Sequence, residues 1–318
     1  AGPTGPAGAT GATGPAGPQG PQGPAGGVSL AAMRAALLQW YPQTFSVGQG
    51  PFGVAFDGAN IWVANNEANS ITELQASTGV VVGTYAVGEE PVGVAFDGAN
   101  IWVANSDGGN VTKLLASTGA VVGTYPVFGF PYGIAFDGSS IWLPILNTGT
   151  VTRLQASTGN MAGTYTVGQR PDGIAFDGTN IWVANSGSAT VTKLLASTGA
   201  VVGTYSVGND PTGVAFDGTN IWVTNAGDGT VSVVSAATGA GVATYVVATP
   251  NAIAFDGTNM WITDAGFPNP TVTKMQANNG AVLGVYPVGN QPFSLAFDGT
   301  SMWVANAGSN SVTRVPAK

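Results

Sequence analysis

The chain contains no cysteine and no histidine among its 318 residues. Without cysteine, disulfides and thiolate metal sites are excluded, and neither redox compartment is favoured. Without histidine, the commonest general base and metal ligand is missing from every position, which weighs against catalysis. Basic residues are scarce too: 8 Lys and Arg stand against 16 Asp and Glu, a net charge of −8. Such a chain is not built to grip phosphate backbones, so nucleic acid is not an expected partner. Charge is sparse (8% of residues), yet 44% of residues are hydrophobic, which is a folding composition and not a disordered one. No apolar run approaches the roughly 18 residues that cross a bilayer, so no membrane span is expected. The sequence opens at Ala1 with neither Met nor a signal segment, and reads as a fragment or a processed product.

Glycine occupies every third position from Gly2 to Gly26, and Pro follows it in six of the eight complete triplets. Only glycine fits the crowded axis of three wound polyproline-type chains, so the period predicts a collagen-like stalk over residues 1–27, and with it a homotrimer. The alternative is a flexible Gly/Pro linker. A short helical neck is expected over 28–43, with VSLAAMRAALLQW (28–40) as its helix and Ser29 as its cap. Leu30, Met33, Leu37 and Trp40 fall at spacings of three, four and three, a seam that three copies can bury or that can pack on the chain's own head. The plan of stalk, neck and head resembles that of collectins in architecture alone.

From Pro51 the sequence repeats with a period of about 40, the copies starting at Pro51, Pro91, Pro131, Pro171, Pro211, Pro250 and Pro292. Each copy holds four short strand-like segments, such as GVAFD, IWVAN, VTKLLAS and VVGTYPV, punctuated by DG(A/T)N and STG turns. Four strands per copy is the unit of a propeller blade, so the fold class expected is all-β, a seven-bladed β-propeller over 44–318. The segment IWVAN is apolar on both faces, and one Trp recurs per copy as inter-blade filling. The seventh copy has only three strands. Its fourth is expected from the other end of the domain, where TFSVG (44–48) matches TYSVG (204–208).

The copy VTNAGDGTVSVVSAATGAGVATYVV (223–247) closely resembles the YVTN family of β-propeller repeats, and the other copies are similar at greater distance. The resemblance spans 44–318 and implies the fold more than a function. Virginiamycin B lyases are similar seven-bladed propellers, and that likeness implies a histidine base, a glutamate and magnesium. No histidine is present here to receive the role, so no catalytic residue carries over.

The turns after the first and third strands should share one face of the ring and are nearly constant among copies. Loops between the second and third strands, and between blades, should share the other face and vary freely, which marks that face for recognition. The seven Asp-Gly pairs (Asp57, Asp97, Asp137, Asp177, Asp217, Asp256 and Asp298 lead them) read as turn residues accepting their own backbone N–H groups, or else as a cation ring. Lys113, Arg153, Lys193, Lys274 and Arg314 share one third-strand position and read as a solvated rim. On the variable face, Phe128, Phe130 and Tyr132, with Pro144, Ile145 and Leu146, suggest an apolar patch for a partner or a sugar ring, unless the Phe rings tuck over the channel mouth. Arg170 and Asp172 are expected to pair with each other or with water. Glu67, Glu89, Glu90 and Asp107 come from adjacent blades and either hold calcium or are surface charges without a metal; no other cofactor is expected.

These readings favour a non-catalytic binding or adhesion protein, extracellular or on a cell surface, whose trimeric heads bind a glycan or a protein. A structural matrix module and a lyase or hydrolase working without histidine are the alternatives.

Overall fold

In the computed structural model the described residues are Gly2, 41–266 and 268–318. The collagen-like triplets after Gly2 and the helix expected over 28–40 lie outside them. The unit that contains the repeats runs over 38–318.

Seven antiparallel sheets of four strands make up this unit. In blade 1 the strands are Pro51–Phe56, Asn60–Asn65, Ser70–Gln75 and Val81–Ala86, paired in sequence order. Blades 2 to 6 repeat the plan, and blade 7 has Pro292–Phe297, Ser301–Asn306 and Ser311–Pro316. Its fourth strand is Gln43–Ser46, antiparallel to Ser311–Pro316 with Phe45 opposite Val312. The ring therefore closes with a strand from each end of the domain. Blade 3 departs from the pattern: its first strand shrinks to Ala135–Phe136, with a lone bridge from Pro131 to Ile145. Pro144 stands where other blades have Ala or Thr, and it has no N–H for the ladder at that step.

The core is divided into seven parts, each lying between two blades. Trp62 and Ile71 of blade 1 pack on Ile101, Val103 and Leu114 of blade 2. Trp303, Ala305 and Val312 of blade 7 pack on Ile61, Val63 and Leu74 of blade 1, which closes the circle. The second strand is apolar on both faces because both are covered, and all seven repeat tryptophans are fully buried. Each such residue contributes on the order of 1.5–3 kcal/mol.

The constant turns anchor these rings. Asp57 Oδ1 accepts the backbone N–H of Ala59 (2.8 Å) and Asn60 (2.6 Å), while Oδ2 accepts the indole N–H of Trp62 at 2.7 Å. The following Gly58 has φ near 102°, a conformation that favours glycine. The indole bond recurs at 2.7 Å in the other six blades. Burial alone would raise these carboxyls. The bonds from Trp and from backbone N–H outweigh it and hold Asp97, Asp137, Asp177 and Asp256 below the usual carboxylate range.

The third-strand cations are not a solvated rim. Lys113, Lys193 and Lys274 are buried, and their ammonium groups donate to the carbonyls of Ala156, Ala236 and Ala317 in the next blade, at 2.8, 2.6 and 2.6 Å. Each lies over the Trp of its own blade, 4.8–5.2 Å from the ring centroid. Arg153 reaches Ser197 O, and Arg314 reaches Ala76 O, Ser77 O and Gln43 Oε1 across the seam. The stem lies along apolar surface and the charge meets a carbonyl that a folded neighbour supplies. Two joints have no such staple: Glu73 holds the position in blade 1 and Val233 in blade 5.

Candidate functional site

The Pro that opens a first strand is followed by a residue that differs from blade to blade: Phe52, Val92, Tyr132, Asp172, Thr212, Asn251 and Phe293. The next position is Gly in five blades because the first strands crowd around the axis. A Cβ at Gly53 or Gly173 would collide with the carbonyl oxygen of Val92 or Thr212 in the adjoining blade. This close approach brings the seven variable side chains around one cavity of about 500 Å³ at the centre of the ring.

The cavity has two unlike sides. Phe52 and Phe293 stack with centroids 4.2 Å apart, and Tyr132 meets Phe52 edge-on at 5.6 Å, so blades 7, 1 and 3 supply an aromatic wall that Val92 of blade 2 joins. Blades 4, 5 and 6 supply Asp172, Thr212 and Asn251. The Thr212 hydroxyl donates to Asn251 O at 2.7 Å, and Asn251 reaches Pro292 O at 3.5 Å. Among the described residues, neither the Tyr132 hydroxyl nor the Asp172 carboxyl has a hydrogen-bond partner. Burial, and behind it the charge of Asp210, raises the Asp172 carboxyl to about 7, with Arg170 acting the other way. Burial and then the charge of Asp172 push the Tyr132 hydroxyl well above its usual range, again against Arg170. An aromatic wall facing an unbonded carboxyl can stack a ring or a cation and bind its polar edge.

The residues singled out from the sequence fall in three places. Tyr132 and Asp172 meet in the central cavity. Phe128 and Phe130 are 77% and 42% exposed and are not among the residues that line the central cavity. Phe130 is held by N–H donation to Asn147 Oδ1 at 3.0 Å. Leu146 and Arg170 line a separate crevice between blades 3 and 4. Ile145 does not belong to a surface patch: it is 1% exposed and packs with Trp102, Ile141 and Leu143 in the core between blades 2 and 3. The apolar run at Pro144–Leu146 looked like an exposed cluster, but pairing of Ile145 with Thr150 turns its side chain inward. Arg170 and Asp172 interact electrostatically without a hydrogen bond.

The carboxylates considered for calcium do not assemble. Glu67, Glu89, Glu90 and Asp107 are all exposed, and among the described residues no group of three or more Asp, Glu, His or Cys side chains is placed to hold a metal. The backbone carbonyls of Glu89 and Glu90 are engaged by Gly108 N and Ser106 N, which fixes the loop but leaves the carboxylates apart.

Phe52, Val92, Thr212, Asn251 and Phe293 are the cavity residues that loop comparison missed. Their signal was present as a position that varies directly after the Pro that opens every copy. A groove of about 610 Å³ on the opposite face, between blades 7 and 1, is lined largely by turn residues such as Gly58, Asn60, Asp298 and Ser301. These occur in every blade as scaffold, which makes the axial cavity the stronger site.

The fold and cavity define a seven-bladed β-propeller with an axial site. No family model and no curated protein matches the chain. Among solved structures it is similar to a streptogramin B lyase, at 21% identity and a TM-score of 0.73 over 86% of this chain and 96% of that one. It is similar to the hydrazine synthase of Kuenenia stuttgartiensis, at 20% identity and 0.73 over 86% and 97%. A third likeness is to U3-55K, at 12% identity and 0.76 over 87% and 98%. At these identities all three show the fold alone.

Proposed function

We propose that this chain is a non-catalytic binding protein, extracellular or on a cell surface, whose propeller recognises a glycan or a protein group at the axial cavity and the loops around it. The observation that carries this reading is the division of the cavity into an aromatic wall and a polar side with an unbonded carboxyl. The exposed phenylalanines Phe128 and Phe130 extend the apolar surface outward. Exchanging Phe52 and Tyr132 together for Ser should remove binding on glycan and cell arrays while the fold, followed by circular dichroism, persists. Undiminished binding by the folded variant refutes the site.

The glycine period supports presentation as a homotrimer, in which linked heads gain avidity without new contacts. Sedimentation of the full chain against one starting at Tyr41 tests this, with a trimer becoming a folded monomer as the expected result. A second reading rests on Asp172. A carboxyl raised to about 7 is poised as a general base, so a lyase or hydrolase without histidine would work through it. Turnover of a lactone or ester panel that vanishes in Asp172→Asn would favour that reading.

A further inference from the structure

Seven of the 16 carboxylates are the turn aspartates, each tied to its tryptophan, and an eighth, Glu73, is buried within blade 1. The remaining eight, from Glu67 in blade 1 to Asp264 in blade 6, all lie on the variable-loop side or at its opening into the axial cavity. Five of the described cations are inter-blade staples, and Lys318 lines the groove on the turn face. Arg170 is thus the single cation on the variable face among the described residues. Eight carboxylates against one guanidinium make that face strongly anionic, and a concave site of one sign draws in ligands of the other.

The same face opens on Phe52, Phe293 and Tyr132 with Asp172 opposite. Aromatic faces attract cations through the ring quadrupole, and such walls hold alkylated ammonium groups when a carboxylate completes the charge balance. A neutral sugar gains little from eight carboxylates, and an anionic ligand is repelled. We infer that the group bound in the axial cavity carries an organic ammonium charge, lying against the aromatic wall of Phe52, Phe293 and Tyr132, with Asp172 neutralising it. This rests on the cavity being a binding site.

The groups facing Asp172 are Asp210, Arg170 and Tyr132. Arg170 opposes a cationic guest, whereas Asp210 aids it. Ionisation of Asp172 near pH 7 then turns binding on as pH rises.

Choline and 3,3-dimethylbutanol have the same shape and differ by one permanent charge, so calorimetric titration of the full chain with both isolates the charge. At pH 8 choline should bind at least tenfold more tightly than the alcohol, and this preference should fall as pH drops through about 7. Asp172→Asn should abolish both the preference and its pH dependence, and Phe293→Ala should weaken choline at least fivefold in a protein of unchanged circular dichroism. Equal binding of the two probes, binding of neither, or a preference that survives Asp172→Asn overturns the inference. Array binding that depends on Phe52 and Tyr132 while choline fails would leave the site standing and remove only the charge assignment. Loss of both would remove the site itself.

Discussion

Replacing Asp177 by Asn tests what holds each buried tryptophan in place. Asp177 accepts hydrogen bonds from Thr179 N (2.9 Å), Asn180 N (2.6 Å) and Trp182 Nε1 (2.7 Å), and the Asn180 side-chain amide donates to it as well, at 3.3 Å to Oδ1 and 3.0 Å to Oδ2. Asn has nearly the same shape but only one acceptor. If its oxygen serves the turn, its NH₂ faces the indole N–H, and two donors meet. Trp182 is fully buried, so its N–H cannot turn to water. An unsatisfied buried donor costs about 1–3 kcal/mol, and loss of a charged acceptor puts this case at about 2–3 kcal/mol. Chemical unfolding followed by circular dichroism measures it. Trp182→Phe removes the same N–H, so Asp177→Asn in that background should cost under about 1 kcal/mol. An equal cost in both backgrounds would show that the turn, and not the indole bond, carries the effect. The variant should also alter the acid limb. The Asp177 carboxyl is held below its unfolded value, so its stabilisation is present at neutral pH and is lost as pH falls below about 4. The variant should lose less stability over that fall than the parent.

Glu73→Lys should stabilise the ring by about 1 kcal/mol, the surplus of a charged hydrogen bond over the contacts given up. Burial raises the Glu73 carboxyl, the bond from Tyr85 opposes this, and Asp57 adds to it, whereas Lys would lie over Trp62 and reach the carbonyl of Ala116 as Lys113 reaches Ala156. A fall in the denaturant midpoint would contradict the staple. For Asp172 the sign is opposite to that of the turn aspartates: a carboxyl raised to about 7 favours the fold while protonated and penalises it once ionised. Asp172→Asn should therefore raise the melting temperature at pH 8.5 more than at pH 5, and an equal gain at both would be inconsistent with that ionisation.

The period, the four segments and the closing strand were legible because every blade solves one packing problem with the same residues. Even the closing strand keeps the pattern, with Phe45 stacked on Trp303 at 5.4 Å as Tyr85 is on Trp62 at 5.7 Å. What stayed hidden depends on a neighbour about 40 residues away. The carbonyl of Ala156 cannot be seen from Lys113, so a buried staple resembled a surface charge. Phe52 and Phe293 stand far apart in sequence, and only ring closure stacks them. Tyr132 and Asp172 were found through their loops, while the strand position they share went unnoticed. Ile145 misled because an apolar run reads alike whether its alternate residues face inward or outward.

The strand Gln43–Ser46 runs from the turn face toward the variable loops, since Gln43 lies opposite Arg314 and Ser46 opposite Ser311. Suppose a ligand grips the variable loops while the polypeptide before Gln43 is tugged the other way. The force then acts along this strand and across its backbone bonds, which are loaded together in shear and not opened one after another. Under tension the ring's single non-consecutive joint behaves as a lap joint.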